Sequence, residues 1–492
     1  MSVAEASAET GMGEGAAPPP EWVVVDLDGT LVRTDLFAEA AIRYAAREPL
    51  GLLRLLGWLR RGRAHAKTRV AEAVPLDPGH LPYNDWLLAR LRAWKEAGAR
   101  LVLATGAPRR YAEAVAEHLG IFDAILATTE KENLTGRRKL EAIRNLTGGA
   151  PFVYAGNGRA DVPVWREAAG AVFVDTPPRV RRRVAATEVH GELTTPGGGL
   201  AALVRLGRPR HWVKNLLVFV PLLLSHGYGD LTLLGRVVAT FLLFSLAASG
   251  VYALNDVVDA GADRRHPTKR RRPVASGAVP PSMAVGVAVL AEAAAVAGAY
   301  LAVGPDVAFV LLGYVVLTTS YSLWLKRHSS IDVIVLAALY TVRLIAGGAA
   351  AEVELSAWLL GFSLFFFVSL AYLKRHAELV RIGDGGAHDV APGRRYGKAD
   401  RSVTLVLGVA NMTAAIVVLA LYIHSVTAVS TYGTPEWLWL IVVIMLYWGN
   451  RIWTGAARGK VDDDPIAFAI RDGVTWVLAG VAVGAVLLAR YW

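Results

Sequence analysis

The chain has 492 residues, 54% of them hydrophobic, a formal net charge of +10 and no cysteine. That length exceeds one ordinary domain, and so high an apolar share does not suit a protein soluble throughout, so membrane segments are expected. The lack of thiols excludes a disulfide framework, thiolate metal ligands and cysteine nucleophiles; the positive charge, clustered between apolar runs, fits membrane topology and phosphate binding and argues against nucleic acid as a partner.

Residues 1–20, with Glu5, Glu9, Glu14 and the run Pro18-Pro19-Pro20, carry neither a basic leader nor an apolar core and read as a disordered tail. From 21 to 176, β-rich runs alternate with helical patterns: Trp22-Val23-Val24-Val25, Leu101-Val102-Leu103-Ala104, Phe152-Val153-Tyr154-Ala155 and Ala171-Val172-Phe173-Val174. This alternation predicts a parallel α/β sheet. Asp26-Leu27-Asp28-Gly29-Thr30 follows the first strand and sets two carboxylates at its carboxyl end, where such sheets bind ligands. These residues resemble the first motif of the haloacid dehalogenase (HAD) superfamily. The resemblance implies a Rossmann-like fold with a helical cap at about 34–85, Asp26 as phosphoryl-accepting nucleophile and Asp28 as general acid/base. Thr105, with Gly106, matches the phosphate-gripping second motif; Lys139, or less well Lys131, matches the third-motif lysine. The fourth motif of that family, Gly-Asp-x-x-x-Asp, departs here to Gly156-Asn157-Gly158-Arg159-Ala160-Asp161, which weakens the charge of a Mg²⁺ site of Asp26, Asp28, Asn157 and Asp161 without removing an oxygen ligand. Phosphatase activity is expected; a scaffold that only binds phosphate is the other reading.

Between the first two motifs, Pro49-Leu50 to Arg63 carries leucines and Trp58, with Arg47, Arg54 and Arg61 spaced by sevens. That pattern suits a basic amphipathic helix lying on anionic lipid, or equally a cap helix packing on the sheet. Residues 177–200, with Arg179, Arg181-Arg182-Arg183 and glycines 197 to 199, read as an interdomain linker.

Nine candidate spans follow within residues 201–492, near 211–227, 235–254, 281–303, 306–325, 331–351, 356–373, 402–424, 436–453 and 472–490, and predict an all-α polytopic membrane domain. The first is the weakest, because Lys214 and Pro221 interrupt it. Lys and Arg fall on alternate loops, which predicts that the soluble half and basic loops are cytoplasmic and the C-terminus outside; the membrane expected is a bacterial-type inner membrane. Trp448 and Trp453 read as interfacial anchors.

If residues 255–263 extend the second of these spans, Asp256, Asp259 and Asp263 project from one face. Carboxylates so grouped suit Mg²⁺ bridging to substrate phosphates, and Arg264, Arg265, Lys269, Arg270, Arg271 and Arg272 follow at once as phosphate-binding donors. A charged loop serving topology alone would not require regularly spaced acids. The run Asn255-Asp256-Val257-Val258-Asp259-Ala260-Gly261-Ala262-Asp263-Arg264 resembles the UbiA superfamily of intramembrane prenyltransferases. Within it, Arg208-Pro209-Arg210-His211-Trp212-Val213-Lys214-Asn215, the stretch from His266 to Gly277, Tyr321-Ser322-Leu323-Trp324-Leu325-Lys326 and Ile331-Asp332 look most like decaprenyl-phosphate phosphoribosyltransferases.

That resemblance implies attack of a polyprenyl phosphate on phosphoribosyl diphosphate, with Mg²⁺ on the leaving diphosphate held by Asp256, Asp259 and Asp263. Substrate contacts would come from Lys214, Asn255, Arg264, Lys269, Arg272, Lys326, Arg343, Lys374, Glu378, Arg395, Tyr396 and Asp400. The family's second carboxylate motif is replaced by Lys374-Arg375-His376-Ala377-Glu378 and by Gly393-Arg394-Arg395-Tyr396-Gly397-Lys398-Ala399-Asp400, a cation-rich set suited to a phosphorylated sugar. Arg343 falls inside a span, where a charge is expected to face the bundle; snorkelling from a span end is the alternative. The fused halves suggest sequential chemistry, transfer and then removal of the 5-phosphate. The rival readings are prenyl transfer from a prenyl diphosphate to an aromatic ring, or a non-catalytic membrane scaffold with a phospholigand-binding HAD half; a transporter is disfavoured by the lack of an internal repeat.

Overall fold

The computed structural model describes residues 20–47, 50–184, 187–195, 199–383, 396–461 and 465–492. They form two compact units: one takes the described residues up to Leu206 together with Ala253–Gly286, the other Gly207–Tyr252 with Val287–Trp492.

The first unit is built on six parallel strands in the order β3-β2-β1-β4-β5-β6: β1 Trp22–Val25, β2 Arg100–Pro108, β3 Ala124–Thr128, β4 Phe152–Gly156, β5 Gly170–Val174 and β6 Glu188–Leu193. Alternation along β1 sends Val23 and Val25 into one apolar core and Trp22 and Val24 into another on the opposite face. A strand covered on both faces must be apolar throughout, which is why β1, β4 and β5 appear as unbroken runs. β6 lies inside the stretch read as a linker, which therefore needs correction: the chain from Pro177 includes a short helix, Pro178–Arg181, and a parallel edge strand paired with β5. Its sequence, Glu-Val-His-Gly-Glu-Leu, is mostly exposed or half-buried and has no apolar run to announce it.

Between β1 and β2 stand helices α1 Leu36–Arg47, α2 Gly51–Arg60, α3 Arg63–Ala73 and α4 Asp85–Glu96; α5 Arg109–Leu119 and α6 Arg137–Thr147 follow β2 and β3. Asn84 caps α4, its side chain accepting from the Leu87 amide, and α5 and α6 end on left-handed Gly120 and Gly148. α2 buries Gly51 and Leu55 and stacks Trp58 on Tyr44 of α1 at 4.7 Å, so it is a cap helix lying against its neighbours α1 and α3.

Among the described residues, eight helices are long and apolar enough to cross a membrane: Leu231–Val258, Pro281–Ala302, Pro305–Leu323, Ile331–Ala351, Ala357–Arg381, Lys398–Ile423, Pro435–Ala457 and Gly473–Tyr491. They answer to eight of the nine expected spans. The first, near 211–227, is instead a 3₁₀ stretch, Pro209–Phe219, and a short helix, Val220–Leu224, before His226 turns the chain at φ 57°. Pro209 starts the 3₁₀ stretch, and Pro221, lacking an amide hydrogen, breaks the ladder where it passes into the short helix. Leu290, Leu301, Phe309, Val443 and Val477 are exposed on the outer faces, while Phe244, Leu311, Leu373 and Ile452 fill the interior. An apolar exterior over long helices is the arrangement a hydrocarbon solvent selects, and the protein is an integral membrane protein. Trp453 is buried in this second unit and donates from Nε1 to Ser369 Oγ at 3.2 Å, and Trp448 is half-buried, donating to Thr475 Oγ1 at 3.1 Å. Trp453, buried, is not the interfacial anchor expected of it; both indoles find hydrogen-bond partners on neighbouring helices.

Candidate active sites

The carboxyl edge of the sheet gathers the residues expected for phosphoryl chemistry. Asp26, directly after β1, accepts from Lys139 Nζ on α6 at 3.0 Å; the same ammonium reaches Asp161 Oδ1 at 3.3 Å and Tyr154 OH at 2.9 Å. Tyr154 OH donates to Asp161 Oδ1 at 2.6 Å, while the amides of Asn157 and Gly158 donate to Asp161 Oδ2 at 3.2 and 3.0 Å. Asp28 Oδ1 accepts from the Leu36 amide at 2.9 Å and so fastens the start of α1 to the motif. Thr105 is buried, its Oγ1 accepting from the Ala107 amide at 3.0 Å. Gly29 adopts φ 72°, and a Cβ there would stand 2.0 Å from Asn157 Nδ2. Only glycine lets the Asn157 amide close over the first motif. Lys131 is exposed and takes no part, which leaves Lys139 as the lysine of the cluster.

Burial pushes Asp26 up to about 6 in spite of Lys139, and burial with the neighbouring charge of Asp35 pushes Asp28 well above the usual carboxylate range. Burial pulls Lys139 down, but the charges of Asp26 and Asp161 outweigh it and hold the ammonium above its ordinary value. Two buried acids, Asp26 and Asp161, and the half-buried Asp28 face the buried Lys139, and the oxygen donors of that set are of the type that suits Mg²⁺.

Two further residues join the site without being expected there. Lys67 of α3 donates to Gly106 O at 2.6 Å and to Asn133 Oδ1 at 2.9 Å, placing a cation from the cap beside the second motif; burial lowers its pKa. Tyr154 is the other. Tyr-Ala-Gly before the fourth motif is the available signal for it, whereas Lys67 has none in the sequence.

The acidic loop belongs to this same unit. The helix Leu231–Val258 breaks at Asp259, and a short helix, Ala260–Arg265, resumes at once. Asp256 and Asp263 are brought together by Arg272, whose Nη1 lies 3.8 Å from Asp256 Oδ1 and 2.6 Å from Asp263 Oδ2. Asp259 is half-buried, and its charge acts on Asp263, whose carboxyl burial raises and Arg272 lowers, with a net rise. Asn255 Oδ1 is buried with no hydrogen-bond partner among the described residues. No three acidic or imidazole side chains among the described residues make a ready cluster for a metal; the acids surround Arg272 instead. A buried oxygen without a partner beside two buried carboxylates is nevertheless a donor set that fits Mg²⁺.

Arg264, expected on the substrate, is committed elsewhere. Its Nη1 and Nη2 donate to Glu39 Oε1 and Oε2 of α1 at 2.9 and 2.6 Å, and its Nε donates to Ala275 O at 3.0 Å, with both side chains buried. These bonds occupy Nε and one hydrogen of each terminal nitrogen, so the guanidinium is held by Glu39 and the Ala275 carbonyl. Around it Arg265 meets Asp77 at 3.6 Å, and Gly277, at φ 77°, would drive a Cβ to 2.5 Å from Arg33. Lys269 is exposed on the same loop.

In the second unit Arg343 is buried among Asn215 Oδ1 at 2.8 Å, Tyr314 OH at 3.1 Å and the Leu339 carbonyl, with its guanidinium over the Tyr314 ring at 4.9 Å. It faces the bundle and does not snorkel. A second network centres on Arg375, which donates to Asp332 Oδ2 at 2.6 Å, Glu378 Oε2 at 2.7 Å and Tyr321 OH at 3.1 Å. Tyr396 OH donates to Asp332 Oδ1 at 2.8 Å and accepts from the Ser330 amide at 2.8 Å. Glu378 and Tyr396, expected on substrate, thus serve this ion-pair network, and Asp400 Oδ2 accepts the Gly397 amide at 2.9 Å. Lys214, Lys326 and Lys374 are half-buried; Arg395 lies outside the described residues. Asp332→Ala should lower the melting temperature of the purified protein by the equivalent of about 2 kcal/mol, less than a fully stranded charge costs because Glu378 still pairs with Arg375.

Fold and sites together define a membrane transferase joined to a phosphohydrolase-type α/β unit. Residues 216–477 match the UbiA prenyltransferase family, to which the chain belongs, and residues 23–166 match the haloacid dehalogenase-like hydrolases. The chain is 34% identical over 471 residues to the uncharacterized protein y4nM of Sinorhizobium fredii, covering 95% of this chain and 90% of that one, so the two-part architecture is shared. It is 36% identical over 284 residues to nodulation protein NoeC of Azorhizobium caulinodans, covering 57% of this chain and 91% of that protein. It is 40% identical over 188 residues to a decaprenyl-phosphate phosphoribosyltransferase of Mycobacterium tuberculosis, covering 37% of this chain and 62% of that protein.

Proposed function

We propose that the protein is a Mg²⁺-dependent polyprenyl-phosphate phosphoribosyltransferase whose fused hydrolase unit removes the 5-phosphate of the product. A phosphate oxygen of the lipid attacks the anomeric carbon of phosphoribosyl diphosphate, the bond from that carbon to the diphosphate oxygen breaks, and diphosphate leaves. Asp26 then attacks the 5-phosphorus, Asp28 protonates the departing ribose oxygen, and water frees phosphate from Asp26. The observation that carries the transferase reading is the grouping of Asp256, Arg272 and Asp263: acids for a hard cation beside a guanidinium for phosphate oxygens. The 40% identity to a decaprenyl-phosphate phosphoribosyltransferase supports the sugar diphosphate as donor.

Mg²⁺ would be held by Asp256, Asp259 and Asp263 in the loop and by Asp26, Asp28, Asn157 and Asp161 at the sheet edge, where it would neutralise phosphate charge. Asn255, Lys269 and Arg272 orient the donor in the loop, and Thr105, Gly106 and Lys139 grip the 5-phosphate. In the second unit Lys214, Lys326, Arg343 and Lys374 are proposed as phosphate-binding cations. The N-terminal unit and basic loops are cytoplasmic, the C-terminus outside, in an inner membrane.

Purified protein given labelled phosphoribosyl diphosphate and a polyprenyl phosphate should yield a lipid-linked sugar. Asp256→Ala should weaken that yield at limiting Mg²⁺ by at least about the 10- to 100-fold that loss of a residue supporting a metal ligand costs. A prenylated aromatic ring as the product, formed from a prenyl diphosphate while no lipid-linked sugar appears, overturns the reading.

A further inference from the structure

The cap helix α2 shows two apolar faces. Gly51, Leu55 and Trp58 turn inward toward α1 and α3, yet Leu52, Leu53, Leu56 and Leu59 are 54%, 63%, 46% and 38% exposed with the whole chain folded, and no described residue covers them. At spacings of one, four and seven residues these leucines form one outward stripe. Four neighbouring exposed leucines on one helix face are a patch of the kind that soluble surfaces avoid. From Arg54 to Arg63 the segment carries four arginines and no acid, with Arg60, Arg61 and Arg63 exposed at the end of the stripe; the nearest acids in the chain are Glu48 and Glu72, and Glu72 is paired with Arg69 at 3.1 Å.

We propose that α2 is a docking surface for an anionic bilayer, with its leucine stripe at the acyl boundary and its arginines among the lipid phosphates. Leucines flanked by exposed arginines are the composition of helices that lie in the interface plane, and anionic lipid complements the charge. The chain itself crosses the membrane with eight helices, which keeps this occupant at high local concentration. α3 follows α2 after Gly62 and carries Lys67, which donates to the Gly106 carbonyl, so the docked helix is joined directly to the rim of the sheet-edge site. A phosphate carried on a lipid, as in the function proposed above, would arrive from that side; the docking itself does not depend on that function.

The chain has no cysteine, so single cysteines can be placed in the full protein without background. A bimane label at Leu53→Cys, and separately at Leu56→Cys, is compared with one at Glu117→Cys, an exposed position on α5. In nanodiscs of equal phosphatidylglycerol and phosphatidylcholine, labels 53 and 56 should be quenched by doxyl-lipid and be at least threefold less quenched by iodide than label 117. In pure phosphatidylcholine discs the protection should fall. Iodide quenching at 53 and 56 equal to that at 117 in the anionic discs overturns the proposal. So does protection that appears in detergent without lipid and grows with protein concentration, since that assigns the stripe to a second copy of the chain.

Discussion

The Asp26→Asn variant should lose phosphate release from the N-terminal unit by on the order of 10³-fold or more, with the 5-phosphorylated lipid accumulating while the transfer step continues. The amide keeps the shape of the carboxylate but cannot attack phosphorus, so Lys139, Tyr154 and Asp161 keep their places and the loss belongs to chemistry. The same change should stabilise the metal-free protein. Burial raises the Asp26 carboxyl from 3.8 to about 6, so the native state binds the proton more tightly than the unfolded chain. The wild type therefore loses stability as pH rises from about 4 to 6, a loss of roughly 3 kcal/mol once both states are ionised. The neutral amide of the variant carries no such cost, so in chelator its melting temperature should exceed that of the wild type at pH 7 and converge with it below pH 4. Phosphate release unchanged by the substitution, measured on the lipid-linked product, would remove Asp26 from the mechanism. Holding the proposed nucleophile against its own charge would be a typical exchange of stability for reactivity.

Local chemistry made much of this legible. The carboxylates of Asp26 and Asp28 follow the apolar strand β1, the Thr105 hydroxyl follows the apolar run Leu101–Ala104 within β2, and eight of the spans are long apolar runs; each is a short-range pattern, and the fold kept it. Long-range pairing was not legible. Arg264 reads as one more phosphate donor in a basic run, because nothing near it in the chain reveals that Glu39, 225 residues earlier, takes both of its terminal nitrogens. Arg375 lies in plain view between Lys374 and His376, but only the fold shows Asp332, Glu378 and Tyr321 converging on it. β6 escapes notice for the opposite reason: an edge strand open to solvent needs no apolar run.

Alanine at position 39 should destabilise the N-terminal unit by about 3–5 kcal/mol, because it strands the Arg264 guanidinium in a buried setting where the Ala275 carbonyl accepts from Nε but supplies no charge. Thermal unfolding of the purified protein measures that loss. Transferase chemistry should suffer as well, since Arg264 sits beside Asp263, and Arg272 joins Asp263 to Asp256 in the same loop. Release of the Glu39 clamp frees that loop to fluctuate, and the Mg²⁺ needed for half-maximal transfer should rise by about 10-fold or more. Glu39→Gln, which keeps two polar atoms but loses the charge, should fall between wild type and alanine. Adding Arg264→Met to Glu39→Ala removes the stranded charge and should recover most of the stability, as replacing both members of a buried pair is often close to neutral. If the double variant regains its melting temperature but still needs excess Mg²⁺, the ion pair fixes the geometry of the loop and does more than hold the unit together. If both recover together, the pair is a structural tie alone, and the acidic loop takes its shape from Arg272 and the backbone turn at Asp259.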